Sequence, residues 1–413
     1  MTLDYDSHPS ELVEGGKVKG VSQVVTVDDL RKAIPPHCFK PSYTTSFAYL
    51  CRDFMVAGAL FYAAWAFIAH IEYQMARYAA WALYGYIQGL AWTGIWVLGH
   101  ECGHMAFSPS HKLNDAVGFI LHSALLTPYF SWKSTHRRHH IYANNLAKDH
   151  NYVPPQREQY ASSLMFSSDK LEELTEDVPI VTFLRIILQQ VIGFPWYLLT
   201  NITASPGSLY KKQAPSFLGN SHFLPTSTLF RPEEAHLIVA SDIGIGLAAY
   251  GLYAAGLRIG FSAVALLYIQ PYMWVNHWIV AITYLHHTHP ALPKYTPEAW
   301  SFMRGALATV DRDFGWVGKH MLHNIIEFHV IHHLFSRIPQ YHAEEATKAV
   351  MPLLGKAYHA DKQRAFLPAI WESFTRCQWV EPDEAVDPKD RAYWYRGGPS
   401  PPPESRMGKK SWL

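Results

Sequence analysis

Three groups of histidine dominate the chain: His100-Glu-Cys-Gly-His104, His136-Arg-Arg-His139-His140 and His329-Val-Ile-His332-His333. Neutral imidazole is a ligand for iron, zinc, copper and nickel. Residues three and four apart share one face of a helix, so each group can direct two or three rings at one point. Eight such nitrogens exceed the four positions of one tetrahedral zinc, and the pattern asks for two metal ions. Chance does not supply it. Histidine occupies 24 of 413 positions, and at that frequency HxxHH is expected roughly 0.08 times rather than twice.

The elements that must carry these groups are membrane helices. Hydrophobic residues make up 49% of the chain, charged residues only 17% and aromatics 14%, rich in the Trp and Tyr that favour membrane interfaces. A mean hydropathy of -0.06 is nevertheless too polar for a chain lying mostly in lipid, so a large polar part is expected as well. Four stretches are apolar and long enough to cross, about 54–71, 78–99, 237–257 and 259–285. They form two hairpins with turns at Glu72 to Arg77 and around Arg258, and the second stretch runs directly into His100. Two further apolar stretches are expected to stay out of the count. Ala116 to Trp132 lies between the first two histidine groups, so a full crossing there would part them, and it reads as re-entrant or interfacial. Val178 to Thr200 carries Arg185, Gln189, Gln190 and Pro195 and reads as an amphipathic surface helix.

Four crossings put the N-terminus, the loop from His100 to His236 and everything after His286 on one side, so all three groups face one compartment. The loop from Ser131 to Glu234 holds ten Lys and Arg while each hairpin turn holds one, which assigns that side to the cytosol. The remaining composition excludes other classes. A net charge of +1 gives no sign of nucleic-acid binding. Cys38, Cys51, Cys102 and Cys377 form no CxxC pair, so neither a disulfide framework nor a thiolate zinc site is indicated. The first forty residues lack the apolar core of a cleavable signal peptide. No strand-GxGxxG-helix unit marks a flavin or nicotinamide site. The expected layout is a polar cytosolic N-terminus (1–42), a domain at 43–351 with all spans and histidine groups, a C-terminal cytosolic extension (352–394) and a Gly/Pro/Ser-rich flexible tail (395–413).

Taken in this order around two membrane hairpins, HECGH, HRRHH and HVIHH resemble the histidine boxes of the membrane-bound fatty acid desaturases, and the resemblance covers nearly all of Tyr43 to Met351. The stretches from Thr283 to Pro290, Gly305 to Asp313 and His333 to His342 are similar to the microsomal oleate Δ12 branch, as is Glu101 after the opening His. His286 departs from it, since many relatives carry Gln there. The resemblance implies an all-α membrane protein of two transmembrane hairpins under a cytosolic helical cap that carries a histidine-ligated di-iron site. Nine ligands are implied: His100, His104, His136, His139, His140, His329, His332 and His333, with a ninth nitrogen from the end of the fourth span. By position in the TYLxHTH segment that ninth is His287, with His289 and His286 as competitors. It also implies O2 as co-substrate, a fatty acyl chain on phospholipid or coenzyme A, and cytochrome b5 with its NADH-dependent reductase as separate electron donors. The endoplasmic-reticulum membrane is the implied location, with both termini and the active site cytosolic.

The chemistry fits the ligands. No carbonyl acidifies an unactivated methylene, so removing its hydrogen requires an oxidant made from O2 at a redox metal, which zinc cannot provide. Ligating imidazoles usually donate their other N–H to a carboxylate or carbonyl, and Glu101, Asp149, Asp311, Asp313 and Asn324 are the nearby candidates, with Glu327 adjacent to the third box. Arg137 and Arg138 are candidates for contact with a donor or lipid phosphate. Three alternatives remain at this stage: an ω3/Δ15 or bifunctional desaturase, a hydroxylase or acetylenase on the same scaffold, and an intramembrane zinc protease, because HECGH matches HExxH.

Overall fold

A computed structural model describes residues 25–163, 179–211, 216–387 and 389–396. Thirteen main helices organise them: α1 (Val27–Ala33), α2 (Tyr43–Phe67), α3 (Gln74–Gly103), α4 (His111–Ala124), α5 (Tyr129–Tyr142), α6 (Arg157–Ser163), α7 (Pro179–Thr200), α8 (Ala235–Ile259), α9 (Gln270–His287), α10 (Phe302–Leu307), α11 (His329–Leu334), α12 (Ala343–Leu354) and α13 (Phe366–Arg376). The chain is mostly helical, with a few short strands that the sequence reading does not anticipate. These are β1 (Lys294–Tyr295), β2 (Asp311–Arg312), β3 (Ala360–Asp361), β4 (Val380–Pro382) and β5 (Ala392–Tyr395). Antiparallel β1-β5-β4 and parallel β2-β3 fasten the segment after α12 onto the segment after α9. Tyr395, where the flexible tail is expected to begin, ends a strand and is buried; residues 397–413 lie outside the described residues.

Among the described residues, three helices are long and apolar enough to cross a membrane: Tyr43–His70, Pro179–Thr200 and Pro232–Ile259. The first covers the expected span 54–71 except Ile71, and the third contains 237–257. The second is the helix assigned above to the surface. Its composition allows a crossing, and Ile180, Phe183, Leu184 and Leu188 stand exposed along it. The expected span 78–99 lies in α3, 30 residues long, and 259–285 lies, from Phe261 onward, in a continuous helix from Phe261 to His287, its first two residues belonging to the end of α8 and the turn at Gly260. These two pack against each other more extensively than any other pair. They are less apolar because they face protein: Gln88, Thr93 and Asn276 are buried in them. Large apolar side chains stay outside on α2 (Phe54, Met55, Tyr62) and α8 (Leu247, Tyr250, Leu257), as lipid contact requires.

Local signals explain the element ends. Ser42 and Ser110 accept N–H bonds from Thr45 and Leu113 and start α2 and α4. Gly260, at φ 89°, ends α8 in a backbone conformation suited to glycine and turns the chain into the next helix. The apolar run 116–132 is not one helix. It breaks between α4 and α5, where Leu126 has φ 52°, and each 14-residue helix reaches only about 21 Å. α9 is preceded by a π-helical turn, Ala265–Ile269, beside which Tyr84 Oη donates to the Leu267 carbonyl (2.9 Å).

Candidate metal centre

Four helices deliver the histidines. His100 and His104 occupy the last turn of α3 and the residue after it, His136, His139 and His140 line α5, His287 ends α9, and α11 carries His329, His332 and His333. All of these helix segments converge on one region. Donor nitrogens of His100, His104, His136, His140 and His332 lie within 4.8 Å of one another, and those of His139, His287 and His333 form a second such group. His329 borders the second, its Nε2 3.4 Å from that of His287. The groups adjoin: the His140 and His333 rings stack at 4.1 Å. So the nine expected residues do come together, in one set of five and one of four.

The three competitors at the end of α9 are separated by their surroundings. His287 Nε2 is 3.2 Å from His139 Nε2. His286 Nδ1–H donates to the Val310 carbonyl (2.6 Å), while its ring stacks on His329. His289 faces Asp361 at 3.6 Å and accepts from the Ala291 N–H. Of the three, only His287 places a ring nitrogen within one of the groups.

The rings suit a cation and little else. Burial pushes His100, His104, His136, His140, His287, His329, His332 and His333 below the ordinary imidazole range, to about 3 for His104 and His329, and neighbouring imidazoles act in the same direction on most of them. Neutral imidazole is the metal-binding form. Several nitrogens point at each other across 3.0 to 3.4 Å, including His100 to His136 and His104 to His100. The Nε2 atoms of His332 and His333 are buried without a hydrogen-bond partner. Such orphaned acceptors cost about 1–3 kcal/mol each unless something occupies their lone pairs, and a metal ion would do so.

Ring orientation is set from outside. His139 Nδ1–H donates to Asp149 Oδ1 at 2.7 Å, and Asp149 also accepts the Asn144 and Asn151 N–H groups. His329 Nδ1–H donates to the Ile325 carbonyl (3.0 Å). Trp132 stacks on His136 with centroids 4.2 Å apart. Glu101 Oε1 is 3.4 Å from His100 Nδ1, and its Oε2 accepts the Gln340 N–H; burial pushes its carboxyl up to about 8. Asp311 acts on backbone rather than on a ring: it accepts the Val330 N–H at the start of α11 and the Tyr358 hydroxyl. Two candidates are placed elsewhere. Asp313 is exposed and accepts the Gly315 N–H in a turn. Asn324 sits in a left-handed turn before α11, its N–H bonded to the Gly318 carbonyl. Glu327 is buried and accepts the Phe314 N–H. Arg138 is buried against Tyr210, whereas Arg137 is exposed.

Lys294 is a residue that sequence reasoning missed. It is buried, donates to the His287 carbonyl (2.7 Å) and bonds the side chain of Asn144, which itself donates to the Gly305 and Ala308 carbonyls. Burial lowers the Lys294 ammonium to about 8. Nothing in the spacing marks this lysine, since its role depends on α5 and the end of α9 meeting.

A cavity of about 600 Å³ lies between α3, α7 and α9, within the usual range of about 300–1,000 Å³ for ligand pockets. Its walls include Trp96, Val97, Phe194 and Ile279, and it reaches His100, His136, His139, His287 and His329. One apolar space therefore touches both nitrogen groups. The zinc-protease reading needs a single site with Glu101 facing it, but Glu101 lies outside both groups and binds the Gln340 N–H.

A family model described as Fatty acid desaturase matches residues 76–365. The chain is 42% identical over 395 residues to the Delta(12)-fatty-acid desaturase of Arabidopsis thaliana, covering 96% of this chain and 97% of that one. It is 44% identical over 369 residues to the oleate hydroxylase of Claviceps purpurea, covering 86% and 77% respectively. An omega-6 fatty acid desaturase of Glycine max, an endoplasmic-reticulum isozyme, is 41% identical over 370 residues, covering 90% and 91%. With box histidines, cavity and family match in agreement, the chain belongs to the fatty acid desaturase family.

Proposed function

We propose that this enzyme is an acyl-lipid Δ12 desaturase that converts oleoyl to linoleoyl chains at two iron ions in the endoplasmic-reticulum membrane. The observation that carries this is the apolar cavity opening onto both nitrogen groups. The Δ12 position follows the Arabidopsis relative, which matches over nearly its whole length. His100, His104, His136, His140 and His332 would hold one ion, and His139, His287, His333 and His329 the other. Iron bound there supplies an oxidant from O2 able to take hydrogen from an unactivated methylene. Overall, two hydrogens leave neighbouring carbons, two electrons and two protons arrive from outside, and O2 becomes two waters.

The residues themselves do the positioning. Trp96, Phe194 and Ile279 exclude water and hold the chain against the metal-facing rings. Asp149 and the Ile325 carbonyl fix the His139 and His329 tautomers so that Nε2 faces inward. Lys294 holds the backbone of His287, and Asp311 the first turn of α11. Four crossings, by α2, α3, α8 and the helix ending at His287, would leave the cap and both chain ends cytosolic. α7 would then lie against lipid beside the cavity. With no flavin or nicotinamide motif in the sequence, cytochrome b5 and its NADH-dependent reductase would deliver the electrons.

The second reading is hydroxylation, favoured by the Claviceps relative. Expression in a eukaryotic host that makes oleate but no linoleate separates the two. Appearance of 18:2 with its new double bond at Δ12 supports desaturation, hydroxy-18:1 supports the second reading, and no new fatty acid contradicts both.

A further inference from the structure

A third cluster of metal-ligand side chains lies apart from the eight box histidines and His287. His37, Cys38, His342 and Glu345 place one donor atom each within 4.8 Å of all the others. His37 and Cys38 belong to the 3₁₀ turn Pro36–Phe39 just before α2, and His342 and Glu345 to the start of α12. Sequence reading finds no thiolate zinc site here because the cysteines are isolated; the fold supplies the missing ligands from a segment 308 positions away.

We propose that these four side chains form a structural site for a zinc-class divalent ion, tying the segment before α2 to the cap helix that follows the third histidine box. Zinc bonds of about 2.0 to 2.3 Å in a tetrahedron set neighbouring ligand atoms about 3.3–3.8 Å apart. Cys38 Sγ and His37 Nε2 are already separated by 3.7 Å. His37 Nε2 and Glu345 Oε2 are hydrogen-bonded at 2.8 Å, and must part by a fraction of an ångström to take up an ion. Both are about half exposed, at 56% and 50%, so they are free to do so. The His342 ring meets His37 edge-on at 5.3 Å, completing the set from the α12 side. One thiolate, two imidazoles and one carboxylate suit zinc, whereas magnesium and calcium prefer oxygen alone. On binding, the Cys38 thiol proton goes to solvent and the sulfur keeps the electron pair it donates.

The two segments are built to be joined. Arg31 lies over both Phe39 and Phe335, and the Ser42 N–H donates to Tyr341 Oη at 2.7 Å. Gln340, two residues before His342, donates its N–H to Glu101 within the first box. An ion at His342 would therefore brace the same short segment that supports Glu101.

Full-length protein in detergent, titrated with Co2+, tests this. Sulfur-to-cobalt charge transfer gives a near-ultraviolet band that all-nitrogen sites lack, so the box histidines cannot produce it. A band in the wild type, lost in Cys38→Ser and kept in Cys102→Ser, is expected. His37→Gln, an exposed position where folding is not at stake, should retain the band but weaken cobalt binding at least tenfold. No band in the wild type, a band that survives Cys38→Ser or disappears with Cys102→Ser, or unchanged affinity in His37→Gln would overturn the proposal.

Discussion

Replacing Asp149 by Ala isolates what one carboxylate contributes to a ring it orients. Asp149 and His139 are both almost completely buried, and the His139 Nδ1–H bond to Oδ1 is 2.7 Å long. The substitution strands that N–H together with the backbone N–H groups of Asn144 and Asn151. The first two are buried, and at about 1–3 kcal/mol for each orphaned donor the fold should lose about 3 kcal/mol. Loss of an outer partner of this kind lowers metal affinity or activity by about 10–100-fold. Asp149→Asn should fall between, since its carbonyl oxygen can still accept from His139 but its amide faces another donor. The assay is iron per chain after purification in detergent, read beside the fraction of 18:2 in host lipids. If Asp149 acts through His139, adding Asp149→Ala to His139→Ala should cost no further iron, a non-additivity that a general folding defect would not give. Wild-type iron content and product in Asp149→Ala would refute the reasoning.

Three further outcomes are expected. His287→Ala should abolish product and reduce bound metal, while His289→Ala retains both; the reverse, scored by lipid analysis and metal content, would show that the end of α9 is misassigned. Metal-free protein should lose stability on acidification: burial holds His104 and His329 at about 3, unfolded imidazole titrates near 6.5, and the unfolded state therefore binds more protons in between. From pH 7.5 to 5.5 each ring removes about 1.4 kcal/mol, so the pair should lower the thermal transition clearly, and a flat profile would count against their buried, neutral state. Gly193→Leu should obstruct the cavity, because a Cβ there already meets Val280 at 3.3 Å; product should drop about tenfold or shift to shorter chains in the host's fatty-acid profile, with protein level unchanged.

Much of the histidine cluster is legible in the residue string because imidazoles at three- and four-residue spacing are rare and helical geometry turns that spacing into convergence. His287 is harder, since neighbouring residues on a helix differ by about 100° and three histidines crowd its end. Tertiary contacts, with the Val310 carbonyl for His286 and Asp361 for His289, separate them. Lys294, Asn144 and Gln340 carry no pattern at all, as each serves a partner far away in the chain. The two- to four-residue strands are too short for alternation to register. α7 shows the limit of hydropathy: Arg185 and Gln189 read as surface residues, yet both line the internal cavity.

The π turn at Ala265–Ile269 has a consequence for His287. A π turn takes in one residue more than the α-helical path, so every later side chain is rotated by about 100° from where an uninterrupted helix would aim it. Rewinding that stretch to ordinary α geometry with every residue kept would swing the imidazole eighteen positions downstream away from its neighbours, whereas deleting one residue there would let an uninterrupted α-helix keep its aim. The aim of a nitrogen in the cap is thus encoded by a winding irregularity well below it, among residues that never touch the metal.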